Sequence, residues 1–317
     1  MHQTTGNHTP ELNLLRRAHL LRNALTWSGV VNLLRWAVVE KRDRGEVEAL
    51  VQRIAKEKHL IFSVSAGRSG TATLFRLFSC LDDIECKHEG PPDFAQFMRL
   101  SQSWPRASYH FLVNSKLPAI DASSRPIFME ASHLHCKGLL EPVFELGLRP
   151  DLIILRRNPR QIARSLVRIR AVPARTKLGY IYLLHPDDQA RLSYPNWRCA
   201  SDYQLAFWYA LEIELRQEFY AQWGRRIGCR VAYANIDDLN ELGAIVRLWE
   251  ALELEPSKRA INRVKKRAGK RFNLRETPDA PDLHSDEELE AAEEAVLKAT
   301  GLVEARERTV SRQPSFG

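Results

Sequence analysis

Apolar residues recur along this chain with two spacings, and the spacings predict the elements. Between residues 11 and 40, Leu12, Leu15, Ala18, Leu21, Leu25, Ser28, Val31, Leu34 and Val38 fall three or four apart. That period predicts an amphipathic helix, flanked by Arg16, Arg17, Arg22 and Arg35. Two seats fit it: docked on the main domain, or resting on an anionic membrane with Trp27 and Trp36 near the headgroups. From residue 59 the texture changes. Short apolar runs at Leu60–Ser65, Ile84–His88, Ile127–Glu130, Leu152–Leu155 and Arg230–Ala234 predict strands. Helical patterns follow at about 71–81, 136–147, 159–171, 200–223, 241–252 and 257–268. This alternation predicts an α/β fold, a mostly parallel sheet of about five strands flanked by helices. Ligands of such sheets bind at the carboxyl ends of the strands.

Two connections exceed minimal crossovers, residues 91–125 and 173–199. Both are rich in aromatics, Pro and Ser, and long loops over a strand-end crevice serve as lids or acceptor walls. Tyr180, Tyr182, Tyr194 and Trp197 of the second suit a sugar face or an aromatic ring. The long helix carrying Asp202, Tyr203, Trp208, Tyr209 and Glu212 reads as core, with no chemistry assigned. Near the end, Ser285 and Glu288 make a capping box for an acidic helix to about Ala299. The expected organisation is therefore an N-terminal helical extension (1–58), a main α/β domain (59–275), and an acidic helix with a loose tail (276–317).

Composition narrows the function classes. Residues 149–177 hold nine basic side chains and one acid, and residues 258–275 hold nine and none, so the rest of a chain of net charge +8 is acidic. Charge concentrated in this way points to discrete anion sites, and nucleic acid is not an expected partner. Five cysteines without a C-x-x-C spacing predict neither a disulfide framework nor a zinc site, and fit a reducing, cytoplasmic compartment. The apolar core of a signal peptide is absent from the N-terminus. The most apolar stretch, 20–39, is interrupted by Arg22, Asn23, Asn32 and Arg35, against a simple membrane span. Membrane contact would be peripheral, through residues 11–40.

Candidate chemistry centres on two basic turns. After the first strand comes Gly67-Arg68-Ser69-Gly70-Thr71-Ala72-Thr73, where a helix begins. The glycines let successive N–H groups curl around one anion, and the helix N-terminus adds its dipole. No Lys follows Gly70, so this is not the nucleoside-triphosphatase loop. After the fourth strand, Arg157-Asn158-Pro159 opens a helix bearing Ser165, and an Arg and a hydroxyl there can grip a second phosphate.

Together, in this order and with an α/β pattern between them, the two turns resemble the sulfotransferase family that uses 3′-phosphoadenosine-5′-phosphosulfate (PAPS). Its 5′-phosphosulfate loop is matched by Arg68-Ser69-Gly70-Thr71-Ala72, and its 3′-phosphate element by Arg157-Asn158-Pro159 and Ser165. Ala72 departs from the pattern, since many members place a second hydroxyl there. The resemblance covers about residues 59–255. It implies a P-loop-like fold, PAPS as sulfuryl donor, adenosine 3′,5′-bisphosphate as product, no metal, and a hydroxyl acceptor that the sequence does not identify. A basic run, Lys265–Arg271, occupies the region where members close over the nucleotide.

In-line transfer needs a cation on the bridging oxygens, for which Arg68 is best placed, and a base at the acceptor hydroxyl. The resemblance favours Glu89, after the second strand, with burial raising its pKa. His88 is second choice and His133 the reserve. Strand alternation lets only one of His88 and Glu89 face the crevice while the strand persists. Glu130 and Ser132, at the end of the third strand, are candidates for holding the acceptor; Ser132 can equally be a helix cap. Two rival readings stand beside the enzyme: a noncatalytic protein gripping a phosphorylated or sulfated ligand on the same fold, or a nucleotide-dependent kinase.

Overall fold

The computed structural model describes residues 42–267 and 285–302. The expected helix at 11–40, the basic run beyond Arg267 and the tail after Leu302 lie outside the described residues. Strands β1 (His59–Ser65), β2 (Ile84–His88), β3 (Ile127–Ala131), β4 (Asp151–Arg156) and β5 (Val231–Asn235) form one sheet in the order β2-β3-β1-β4-β5. Every neighbouring pair is parallel. The apolar runs thus located all five, within one residue at each end.

The strands alternate apolar side chains between two helical layers. Leu60, Phe62 and Val64 of β1 enter one core, and Ile61 enters the other. The first core is covered by helices α1 (Arg44–Glu57), α7 (Pro159–Arg168), α9 (Asp202–Arg226) and α12 (Asp286–Ala299). The second is covered by α2 (Thr71–Phe78), α10 (Leu242–Ala251) and α11 (Lys258–Lys265). Leu50 and Ile54 of α1, and Leu289 and Val296 of α12, are buried in the same core as the sheet. The described parts of both expected extensions therefore pack as layers of the α/β unit.

The chain leaves β1 through α2 towards the β3 side and leaves β4 through α7 and α9 towards β5. The connections diverge between β1 and β4, and that divergence opens a crevice at their carboxyl ends. Residues 91–125, expected as an open connection, fold into short helices α3 (Ala95–Ser103), α4 (Arg106–Phe111) and α5 (Leu117–Asp121), with a π-turn at Leu112–Lys116. Pro105 and Pro118 stand at helix starts and cut the segment into pieces too short for a clear period. The helix expected over 136–147 shrinks to α6 (Leu140–Glu145), and α8 (Lys177–Tyr182) lies in the second long connection. Among the described residues, no helix is long and apolar enough to cross a membrane.

Candidate functional site

The loop after β1 curls because two residues take the left-handed conformation, Arg68 (φ 71°) and Gly70 (φ 94°). At Gly70 any side chain would also collide with Ile236. The fold brings the second basic turn directly onto this loop. Arg157 donates from Nη1 to the Arg68 carbonyl (2.6 Å) and from Nε to Gln161 (3.0 Å). Arg68 donates from Nε to the Ser165 hydroxyl at 2.9 Å, across 97 residues of sequence. Asn158 caps α7 through the Arg160 and Gln161 amides, and Pro159 occupies its first turn, which fixes where Ser165 projects. Burial holds Arg157 below its usual pKa, though an Arg stays charged.

The residues present fit an anionic ligand. The Ser69 hydroxyl is buried with no hydrogen-bond partner among the described residues, which inside a protein calls for one. It sits in the cradle between two left-handed residues. Ala72 and Thr73 form the half-buried first turn of α2. The Thr71 hydroxyl is hydrogen-bonded to His88 Nε2 at 3.0 Å.

A carboxylate–imidazole pair borders this cradle. β2 ends at His88, and Glu89 adopts a left-handed backbone (φ 50°), so strand alternation stops between them. His88 then reaches Thr71, while Glu89 reaches His133 at 2.5 Å. An ionised carboxylate only accepts, so His133 donates from Nδ1, and in the neutral ring its Nε2 keeps the lone pair. Nε2 has no protein partner among the described residues, and a Cβ on Gly67 would stand 3.6 Å from it. Burial alone would raise the Glu89 carboxyl; the His133 hydrogen bond and the charges of His133, His88 and Lys137 outweigh it and hold the pKa at about 2. That is opposite to the rise expected for a base. Burial, reinforced by Lys137, pushes His133 below its usual value against the pull of Glu89.

Glu130 and Ser132 do not line the crevice. Glu130 is buried in an ion pair with Lys116, whose Nζ lies 2.8 and 2.7 Å from its two oxygens, with His135 at 3.4 Å. Lys116 also donates to the Pro92 carbonyl (3.0 Å), which ties the pair to the loop after Glu89. Ser132 accepts from the Leu134 amide and its own amide donates to Ser63 Oγ; it sits in a turn and is not the helix cap the sequence also allowed, because the next helix starts at Leu140. β3 continues to Ala131, so Glu130 still lies within the strand and is buried; Ser132, just past it, is buried in the turn that follows.

The long connection 173–199 is a fixed wall. Arg99 pairs with Asp188 and donates to the Tyr180 carbonyl (3.1 Å); Arg216 donates to the Gln189 carbonyl (2.8 Å); Glu212 accepts from the Arg191 and Leu192 amides. Tyr182 turns its ring towards His133 at 6.2 Å, whereas Tyr194 is buried against Trp208. Arg263 and Arg267, from the described part of the basic segment, cap the far end of α2 through the Cys80 and Arg76 carbonyls.

The chain matches no family model and no curated protein.

Sequence reasoning missed two residues beside the pair. Lys137 is fully buried, donates to the Tyr182 carbonyl at 2.6 Å and lies over the Tyr209 ring at 5.1 Å. Burial lowers its pKa to about 7. Its signal was a lone Lys inside the apolar run Leu134–Leu140. Tyr209, read as core, is buried but turns its hydroxyl to the Gly67 amide (3.4 Å). Its helical spacing carried no sign of that contact.

Proposed function

We propose that this protein transfers a sulfuryl group from PAPS to a hydroxyl-bearing acceptor, with His133 as base and Glu89 as the group that orients it. The observation that carries the reading is the Arg68–Ser165 contact. It joins two anion-binding turns, remote in sequence, at the ends of two adjacent parallel strands. One anion site would suit many ligands; two, with an adenosine between them, suit a nucleotide phosphorylated at both ends. Arg68, Ser69 and the amides of residues 67–72 would hold the 5′-group, and Arg157 with Ser165 the 3′-phosphate. When bound, the donor supplies the sulfuryl group and departs as adenosine 3′,5′-bisphosphate.

The chain's own residues supply the rest. His133 Nε2 takes the acceptor proton, and the Glu89 carboxylate keeps the ring in the tautomer that can do so and stabilises the imidazolium that forms. Arg68 offsets charge on the transferring group. The Tyr182 side of the wall flanks the place of the acceptor.

The test is ligand-dependent thermal stability without magnesium. Adenosine 3′,5′-bisphosphate at one hundred times its dissociation constant should add about 2.7 kcal/mol, more than ATP or AMP at the same concentration. Arg157→Ala and Ser165→Ala should weaken its binding while leaving that of AMP unchanged. A larger shift from ATP with magnesium, or equal losses for both nucleotides, would overturn the reading.

A further inference from the structure

Lys137 differs from the other fully buried lysine of the site region. Lys116 has Glu130 as a carboxylate partner. No carboxylate among the described residues forms an ion pair with Lys137, whose ammonium meets only a backbone carbonyl and an aromatic face. An uncompensated buried cation costs stability, so its retention beside a reactive pair calls for a use. Its surroundings point to one. Tyr182, which accepts from Lys137 through its carbonyl, presents its ring to His133. Tyr209, beneath the Lys137 ammonium, receives the Gly67 amide, and Gly67 packs on the His133 ring. Two paths of contact thus run from Lys137 to the His133 ring, one through Tyr182 and one through Tyr209 and Gly67.

We infer that Lys137 is a positioning residue whose buried charge keeps His133 neutral, with Nε2 available as a proton acceptor despite the carboxylate at Nδ1. A carboxylate at 2.5 Å by itself favours the imidazolium, in which both nitrogens are occupied and the ring can accept nothing. The charged groups facing His133 are Glu89 and His88 from the end of β2 and Lys137 from its own turn; α8 and α9 contribute the uncharged Tyr182 and Tyr209. Of these, Glu89 pulls the proton on, while Lys137 and His88 push it off. Burial acts with Lys137. The inference deepens the proposed function by explaining how its base is kept ready, and it rests on that reading only for the use of the lone pair.

The measurement is the imidazole nitrogen spectrum of the full chain, with the His133 signals assigned from His133→Gln. In the wild type at about pH 6.5, where the Lys137 ammonium is still largely charged, His133 should be mostly neutral with the proton on Nδ1, and it should titrate below the free value of about 6.5. Lys137→Met should move that midpoint up by about one pH unit or more, the size expected from removing a nearby like charge. His88→Gln should move it in the same direction. An unchanged midpoint in Lys137→Met, or a mostly doubly protonated His133 in the wild type at about pH 6.5, would overturn the inference. Should Lys137→Met fail to fold, the wild-type His133 protonation state at about pH 6.5 and the Lys137 Nζ titration, expected near pH 7, decide it. Neither readout involves a nucleotide, so loss of the donor assignment would leave this result standing, and the reverse.

Discussion

Two Glu–His pairs lie two residues apart on the segment that follows β3, and they have opposite fates. His135 meets Glu130 in the interior, where Lys116 compensates the carboxylate; its Nδ1 is hydrogen-bonded to the Ser63 carbonyl at 3.0 Å, and its Nε2 is buried 3.4 Å from Glu130 without forming a hydrogen bond. His133 meets Glu89 at the crevice, with one nitrogen engaged and the other open. The side chains of Glu130 and Lys116 are each 3% exposed, whereas that of Glu89 is 29% exposed. The same two residue types thus make a buried strut in one place and, at the crevice, the pair proposed above to handle a proton. What separates them is a hydrogen bond between the partners at the crevice, absent in the interior pair, and the partial exposure of the crevice pair.

The comparison breaks most sharply in turnover. Once a screen of glycans, lipids and phenols supplies an acceptor, His133→Ala should lower kcat by about 10²–10⁴-fold. His135→Ala should leave kcat per folded molecule near normal and lower only stability. Glu89→Gln should fall between them, since Gln keeps contact with Nδ1 but loses the charge that steadies the imidazolium. His88→Ala should lose less than Glu89→Gln.

Next in size is the strut. Lys116→Met leaves Glu130 buried and uncompensated, a change that costs about 3–5 kcal/mol, read by urea unfolding. Replacing both partners, Lys116→Met with Glu130→Leu, should recover much of that loss.

Acid stability sharpens the contrast further. The folded protein holds the Glu89 carboxyl at about 2, well below the ordinary 4.5. Its contribution is present above the ordinary value and disappears as pH falls towards the folded one, so stability should drop between about pH 4.5 and 2. Glu89→Gln should flatten that window, seen as a smaller change in urea midpoint across it. At Lys137 the slope has the same sign but another origin, a cost relieved as pH rises in place of a contribution lost as pH falls. The folded protein releases this proton near pH 7, against an ordinary value of 10.5, so the unfolded chain binds more protons between the two. Stability from this group rises with pH across that interval, and Lys137→Met should abolish the rise.

The smallest effect concerns α12. Glu293 accepts from Arg160 at 2.8 and 2.9 Å and from the Tyr203 hydroxyl at 2.5 Å. Glu293→Ala should raise hydrogen exchange in α12 and leave the sheet protected.

The sheet and the two basic turns were legible because each is written locally. Strand runs are contiguous, Gly70 marks a left-handed turn, and Asn158-Pro159 marks a helix start. Even α1, which was passed over, had its capping box in Asp43 and Glu46. The proton-handling side was less legible, because it is assembled across strands. His133 was only a reserve candidate, for nothing in the order of residues 86–89 says that Glu89 turns left-handed and meets a ring 44 residues away. Glu130 was misplaced for the converse reason: its strand runs one residue further than the apolar run showed. Lys137 was missed because charge is scored as surface until burial is known.

The wall formed by residues 173–199 has a consequence for selectivity. Arg99, Lys137 and Arg216 each grip its backbone from the interior, and Glu212 accepts two of its amides. A segment fastened in this way has surrendered its freedom during folding, so a guest arriving beside Tyr182 need not order it. On the proposed function, recognition on that side would work as a gauge of fixed bore: molecules would be sorted by fit to a surface already set, and a misfit excluded on arrival instead of being accommodated by rearrangement.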